Sequence, residues 1–246
     1  MKSLVLAFQF LTICPLPQVQ VEPKHFGQSM MFFPLVGLTL GACLYSLHLI
    51  AKSWRTFFPL ELEAFLLLLL LTVLTRGLHL EGFADFLDGF LGGRDRERIL
   101  SIIKDSRAGV FAVIGLIFLI LGKIFFVYQI LQQGKVLVVL VFPVISRWSM
   151  VLLCLGAHDP RPEKGLATTF VDSLRFPHFV IASVFAFSVM IFVPFMSSIF
   201  YFIFTIFFVV LIRILSTAKI DGITGDVIGA TSEIVEFTTL YLGVVL

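Results

Sequence analysis

The sequence predicts an all-α, polytopic membrane bundle of about seven spans with interfacial helices beside them, and three observations carry that class. Of 246 residues, 59% are hydrophobic and only 14% charged, and the mean hydropathy is +1.04; a soluble domain cannot hide so much apolar surface. Twenty-nine phenylalanines and long Leu and Val runs suit helices that face lipid. The period-two alternation that barrel strands require is absent. No internal repeat, low-complexity segment or linker interrupts the chain, so residues 1–246 read as one membrane-embedded domain. A net charge of +2 gives no reason to expect nucleic acid, whereas membrane lipid is an expected partner of every span. Cys14, Cys43 and Cys154 are odd in number and widely spaced in apolar segments, which fits neither a disulfide nor a metal motif.

Residues 3–14 are too short to span, and Pro15 and Pro17 end whatever helix forms, so an interfacial helix is expected there. The segment lacks a small-residue cleavage site and does not read as a removed signal peptide. Span one covers about 29–51, where Pro34, Gly37 and Gly41 permit a kink and close helix contact. Span two is the Leu-rich run at about 60–77. Spans three (about 108–131) and four (about 136–155) are joined by a tight Gln-Gln-Gly-Lys turn. A polar loop at 156–177 carries Arg161, Lys164 and Arg175. Spans five and six fill 178–213 around Pro194, and a last span ends at Leu246.

Alternating these spans collects Lys2, Lys24, Arg94, Arg96, Arg98, Lys104, Arg107, Arg161, Lys164, Arg175, Arg213 and Lys219 on one side. Only Lys52, Arg55 and Lys135 fall on the other. That bias places the first side in the cytoplasm. It also brings two acidic blocks and the basic loop to one interface.

The first acidic block follows span two and reads LHLEGFADFLDGFLGGRDRERILSIIKDSRAG. In a helix, Glu81, Asp85 and Asp88 fall at i, i+4 and i+7, a stripe of like charges that repel one another. A divalent cation would offset them, and hard oxygen ligands suit Mg²⁺; a solvated acidic face is the plainer alternative. Gly89, Gly92 and Gly93 would let backbone approach a phosphate. Lys104 and Arg107, with Asp105 and Ser106 between them, precede the N-terminus of span three, where N–H groups favour an anion. Positive-inside anchoring would explain the two cations as well. The second block, Asp221 to Glu236, places Asp226 and Glu233 on one helical face. It could form a further metal cluster, or Asp226 could simply cap a helix. Arg147 lies inside span four, where a bare charge demands a partner, so it is expected to face the bundle and reach a carboxylate or phosphate. Arg76 and His79 flank the first block and suit interface anchoring as well as catalysis.

In order along the chain, FLTICPLP, FFPLVGLTLGA, GFADFLDGF with IIKDSRAGVFAVIGL, SRWSMVLL, EKGLATTF and DGITGDVIGATSEIVE resemble the cobalamin synthase family, the adenosylcobinamide-GDP ribazoletransferases, over almost the full length. The resemblance implies an integral membrane enzyme of the cell inner membrane, dependent on Mg²⁺, with its active site toward the cytoplasm. It implies that a hydroxyl of α-ribazole, or of its 5′-phosphate, attacks the cobinamide-side phosphorus of adenosylcobinamide-GDP and releases GMP. Carried over by position, Asp85 and Asp88 match the family's acidic pair, Lys104, Asp105, Ser106 and Arg107 its KDSR-type segment, Arg147 the arginine of its SRW run, and Asp221, Asp226 and Glu236 its closing motif. On the residues' own chemistry, Asp85, Asp88 and Asp226 would bind metal. Lys104, Ser106, Arg107, Arg147 and the three glycines would bind substrate, and Glu81 or Asp105 would accept the hydroxyl proton. Self-association, or association with other cobalamin-assembly enzymes, is compatible with such a protein. The chain has Leu80-Glu81 where the family usually carries adjacent acidic residues.

Rival readings are a CDP-alcohol phosphatidyltransferase or a UbiA-like prenyltransferase, but Asp95 and Asp105 do not continue the first family's four-residue Asp steps. A second DxxxD loop, which the other requires, is also missing. A transporter would show inverted repeats and broken helices at the midplane. A structural scaffold gives no reason for carboxylates gathered at one face.

Overall fold

The computed structural model describes residues 1–105, 107–161 and 165–246, and among these residues it is helical with no strand. The N-terminal part comprises α1 (Lys2–Leu11), α2 (Pro23–Met30), α3 (Phe33–Ser53) and α4 (Leu60–Leu74). The acidic block forms α5 (Leu78–Gly92) and α6 (Arg96–Ile103), followed by α7 (Val110–Gln132) and α8 (Leu137–Cys154). Then come α9 (Leu166–Ser173), α10 (Phe176–Val189) with a short 3₁₀ turn, α11 (Phe195–Ile220) and α12 (Gly225–Val245).

Five helices are long and apolar enough to cross a bilayer, and the count reaches seven if two bent pairs each make one span. The chain is therefore a multi-pass membrane protein. Both bends arise within stretches expected to be simple. Helices α4 and α5 meet at 89°, and α9 with α10 at 93°. At the first bend Arg76 and Gly77 both take positive φ (56° and 65°), which no straight helix contains. The α1 end braces this corner: Ile13 donates its N–H to Leu74 O at 2.7 Å, and Arg76 reaches Gln9 O at 3.1 Å. The polar loop expected over 156–177 contains the amphipathic α9, whose Phe170 packs on Phe10 with ring centres 4.6 Å apart.

Helix α8 is the axis of the bundle, with fifteen of its eighteen residues buried. Helix α7 is its opposite, exposing Phe118, Leu121 and Phe125 along a face suited to lipid. Pro34 sits in the first turn of α3, so the kink expected there does not form. Gly37 and Gly41 do provide the close contact: a Cβ on them would stand 2.4 and 2.1 Å from the carbonyl oxygens of Pro143 and Leu140. Backbones of α3 and α8 therefore touch, maximising dispersion where lipid leaves little hydrophobic drive.

The loops carrying most of the cations meet at one end. Arg96 donates to Ile220 O (3.1 Å) and Pro160 O (2.7 Å), Lys219 donates to Phe90 O (2.7 Å), and Ile223 N–H reaches His158 O (2.8 Å). Gly222, at φ 152°, is required in that joint, because a Cβ would lie 2.6 Å from His158 O. Lys52 and Arg55 stand at the other end of α3, where Arg55 pairs with buried Glu63 at 2.6 Å.

Candidate active site

Where α5 crosses α12 the backbones nearly touch, since a Cβ on Gly82 would stand 3.1 Å from Asp226 Cα and 3.3 Å from Gly229 Cα. This crossing brings the two acidic blocks together. Glu81 and Asp85 from α5 and Asp226 from the first turn of α12 line one cavity of about 350 Å³. Arg161 lines it from the loop before α9, and His79 from the first turn of α5. The remaining wall is apolar, built from Phe10, Met30, Phe33, Met150 and Phe170 among others. Among the described residues, three carboxylates against one guanidinium make this a site that attracts cations, or a cation with its anionic ligand.

Arg161 is held rather than loose. Asp159 accepts from its Nε at 3.1 Å and its terminal nitrogen at 2.9 Å, and also from Thr168 Oγ1 at 2.8 Å. Burial pushes the Asp159 carboxyl up, but the hydrogen bonds from the Arg161 side chain and backbone and from Thr168 outweigh it, leaving the group below the ordinary carboxylate range.

Asp88 turns away from the cavity that its helical spacing pointed toward. Its oxygens accept N–H bonds from Gly109 (2.5 Å) and Ala112 (2.9 Å), so it caps α7 from a neighbouring helix. The expected shell of Asp85, Asp88 and Asp226 is thereby reduced to two of its members. Among the described residues, no group of three His, Cys, Asp or Glu side chains is placed to hold a metal ion unaided. Two of the glycines expected to admit a phosphate have another use. A Cβ on Gly89 would meet Ile103 at 2.7 Å and one on Gly93 would meet Ile99 at 2.4 Å, so both let α6 fold back onto α5. Gly92 is not crowded in this way, its nearest neighbour being Ile102 Cδ1 at 3.7 Å.

Asp105 and Arg107 pair with each other at 2.7 Å on the surface, outside the cavity lining. Hydrogen bonds from Arg107 hold the Asp105 carboxyl at about 2, which makes it a poor proton acceptor at neutral pH. Lys104 ends α6 and is also absent from that lining. Ser106 lies outside the described residues.

Arg147 does face the bundle and reach a carboxylate. It pairs with Glu236, and its NH1 also donates to Ser146 Oγ at 2.9 Å. Lys123 of α7 joins the same cluster, contacting Glu233 and, at 2.6 Å, Glu236. Two cations and two carboxylates are thus enclosed between α7, α8 and α12, beside a second cavity of about 210 Å³. Sequence reasoning missed Lys123, although a lone lysine in an apolar run carries the same signal as Arg147. It also passed over Asp159 with Arg161, whose two-residue spacing in a polar loop was the available clue.

Residues 3–245 match the family model described as cobalamin-5-phosphate synthase. Similar curated proteins are named adenosylcobinamide-GDP ribazoletransferase. That of Caldanaerobacter subterraneus subsp. tengcongensis is 35% identical over 96% of this chain and 95% of its own length. That of Chlorobaculum parvum is 38% identical over 98% and 94%, and that of Clostridium botulinum strain Okra 32% over 98% and 97%. No solved structure matches the chain.

Proposed function

The chain belongs to the cobalamin-5-phosphate synthase family, and on that premise we propose that it is an adenosylcobinamide-GDP ribazoletransferase working in the cavity between α5, α9 and α12. It joins α-ribazole, or its 5′-phosphate, to adenosylcobinamide-GDP and releases GMP. The observation that carries the reading is the convergence of Glu81, Asp85, Asp226 and Arg161 on one cavity with an apolar wall.

The donor set suits Mg²⁺, which is ordinarily bound by one or two carboxylates together with substrate phosphates and not by an all-protein cage. Asp85 and Asp226 would hold it. When bound, the ion supplies charge neutralisation on the phosphoryl oxygens. Arg161, kept in place by Asp159, offers a forked donor to the diphosphate and stabilises charge that builds on the departing GMP. Phe10, Phe33 and Phe170 supply an aromatic part of the wall against which a flat base can pack. With Asp105 committed to Arg107 on the surface, Glu81 is the carboxylate of the original pair that lines the cavity.

The cytoplasmic placement of this end in a cell inner membrane rests on the lysine and arginine bias of its loops. The reading is tested with protein purified in detergent and given adenosylcobinamide-GDP and α-ribazole. It expects Mg²⁺-dependent GMP release with formation of adenosylcobalamin, abolished by EDTA. Turnover that persists in EDTA would remove the metal from the account, and absence of any product would remove the activity.

A further inference from the structure

His79 is 2% exposed, lines the cavity, and leaves its Nε2 buried with no hydrogen-bond partner. A buried ring nitrogen is costly to leave unmade unless something else supplies its partner. Its other nitrogen is engaged. Nδ1 lies 3.3 Å from Ser232 Oγ, Ser232 Oγ lies 2.7 Å from Ser146 Oγ, and Ser146 Oγ lies 3.2 Å from Glu236 Oε1.

With every contact along this chain, Ser146 to Glu236 included, taken as a hydrogen bond, donor counting gives one set of proton positions. Glu236, paired with Arg147 and Lys123, is a carboxylate and can only accept. Ser146 therefore spends its single O–H on Glu236, while its lone pairs accept from Arg147 at 2.9 Å and from Ser232. Ser232 in turn spends its single O–H on Ser146 and has none left for the histidine. The imidazole must then donate Nδ1–H to Ser232, which leaves Nε2 as a bare lone pair. A buried ion cluster two hydroxyls away thus sets the tautomer of a residue on the cavity wall.

We infer that His79 Nε2 is the acceptor for the hydroxyl of the attacking nucleoside, with Ser232 and Ser146 as positioning residues. The inference rests on the transferase reading above and replaces Glu81 in the acceptor role. In the step, the hydroxyl oxygen forms a bond to the cobinamide-side phosphorus and its proton moves to Nε2. The bond from that phosphorus to the bridging oxygen breaks, and GMP leaves with the electron pair. Imidazolium charge is then shared through Nδ1–H with the Ser232, Ser146 and Glu236 chain. The proton passes to solvent after product leaves.

Two measurements on the full-length protein test this. Nitrogen-15 NMR of histidine-labelled protein, with His79 assigned by its loss in His79→Asn, should show a neutral ring protonated at Nδ1; a ring protonated at Nε2 overturns the inference whether or not the protein turns over the proposed substrates. In single-turnover and steady-state assays, His79→Asn should lower kcat by about 100-fold or more with KM for adenosylcobinamide-GDP nearly unchanged. Ser232→Ala should lower kcat by about tenfold and shift the His79 signal toward the other tautomer. An intact tautomer with full activity in Ser232→Ala, or loss of kcat in Glu81→Gln but not in His79→Asn, would overturn it. A wild-type protein that releases no GMP sinks the functional reading and the proton transfer with it, while the NMR result still reports the wiring.

Discussion

Two clusters of charge lie along α12, about two turns apart, and they are built on opposite terms. At its first turn, Asp226 shares an open cavity with Glu81 and Asp85, while among the described residues Arg161 is the cation on the lining. Deeper along the same helix, Glu233 and Glu236 are matched by Lys123 and Arg147, all four nearly inaccessible to water. The first set carries unbalanced charge and has room for a ligand. The second is neutral as a group and has its partners already. Asp226 and Glu233, seven residues apart on α12, therefore fall into an open group with unbalanced charge and a matched group that ties α12 to α7 and α8. Spacing reports which face a residue occupies, and only the neighbouring helices decide whether it is matched.

The largest expected effect separates the two clusters by what is lost. Asp85→Asn or Asp226→Asn should cut GMP release by at least about a thousandfold, in line with removing a main electrostatic contact to the transition state, while protein abundance in the membrane stays normal. Glu236→Gln should do the reverse first. Removing one partner of a buried ion pair costs about 3–5 kcal/mol, so the readout is loss of folded protein in detergent thermal-stability and abundance assays. Lys123→Met alone should destabilise in the same way, and adding Glu233→Leu should recover most of that loss, because replacing both partners leaves Arg147 matched by Glu236 and no uncompensated charge. If the double variant is less stable than Lys123→Met alone, the matched-cluster description fails.

How much of this was legible beforehand follows the same division. Arg147 could be read because a lone charge in an apolar run must find a partner, and it found Glu236. The multi-pass membrane class, a short helix before Pro15 and the gathering of basic loops at one end were legible for a similar reason: hydropathy and charge act over whole segments. Asp88 was not, since helical periodicity gives the direction of a Cβ but not which backbone N–H groups another helix will present to it. The packing use of Gly89 and Gly93 was hidden similarly, because a glycine that admits a phosphate and one that admits an isoleucine leave the same mark in a sequence. The bend at Arg76 was hidden, because a non-glycine residue with positive φ is imposed by its surroundings.

Smaller effects sharpen the picture of the open cluster. Arg161→Gln should raise KM for adenosylcobinamide-GDP by about tenfold, the cost of one charged hydrogen bond to phosphate, with a lesser change in kcat. The Asp159 anchor adds a pH signature. Its carboxyl sits below the ordinary range in the folded protein, so its stabilisation is complete above the unfolded value of about 3.9 and is lost as pH falls through the lower folded value. Hydrogen exchange of the 156–161 loop, corrected for intrinsic rates, should therefore hold steady from pH 8 to about 5 and rise only in stronger acid. Asp159→Asn should give the fast exchange at every pH. A loop that loosens between pH 7 and 5 would mean that a different group anchors Arg161.

In the proposed reading, Asp85 and Asp226, which form no ligand group of three with other His, Cys, Asp or Glu side chains among the described residues, hold a divalent cation once the diphosphate arrives. Electron paramagnetic resonance of Mn²⁺ with the purified protein tests it most directly. The spectrum should show bound Mn²⁺ when adenosylcobinamide-GDP is present, and revert to that of Mn²⁺ with the free nucleotide in Asp85→Asn and Asp226→Asn proteins of normal abundance. Bound Mn²⁺ of unchanged affinity in both variants would contradict it.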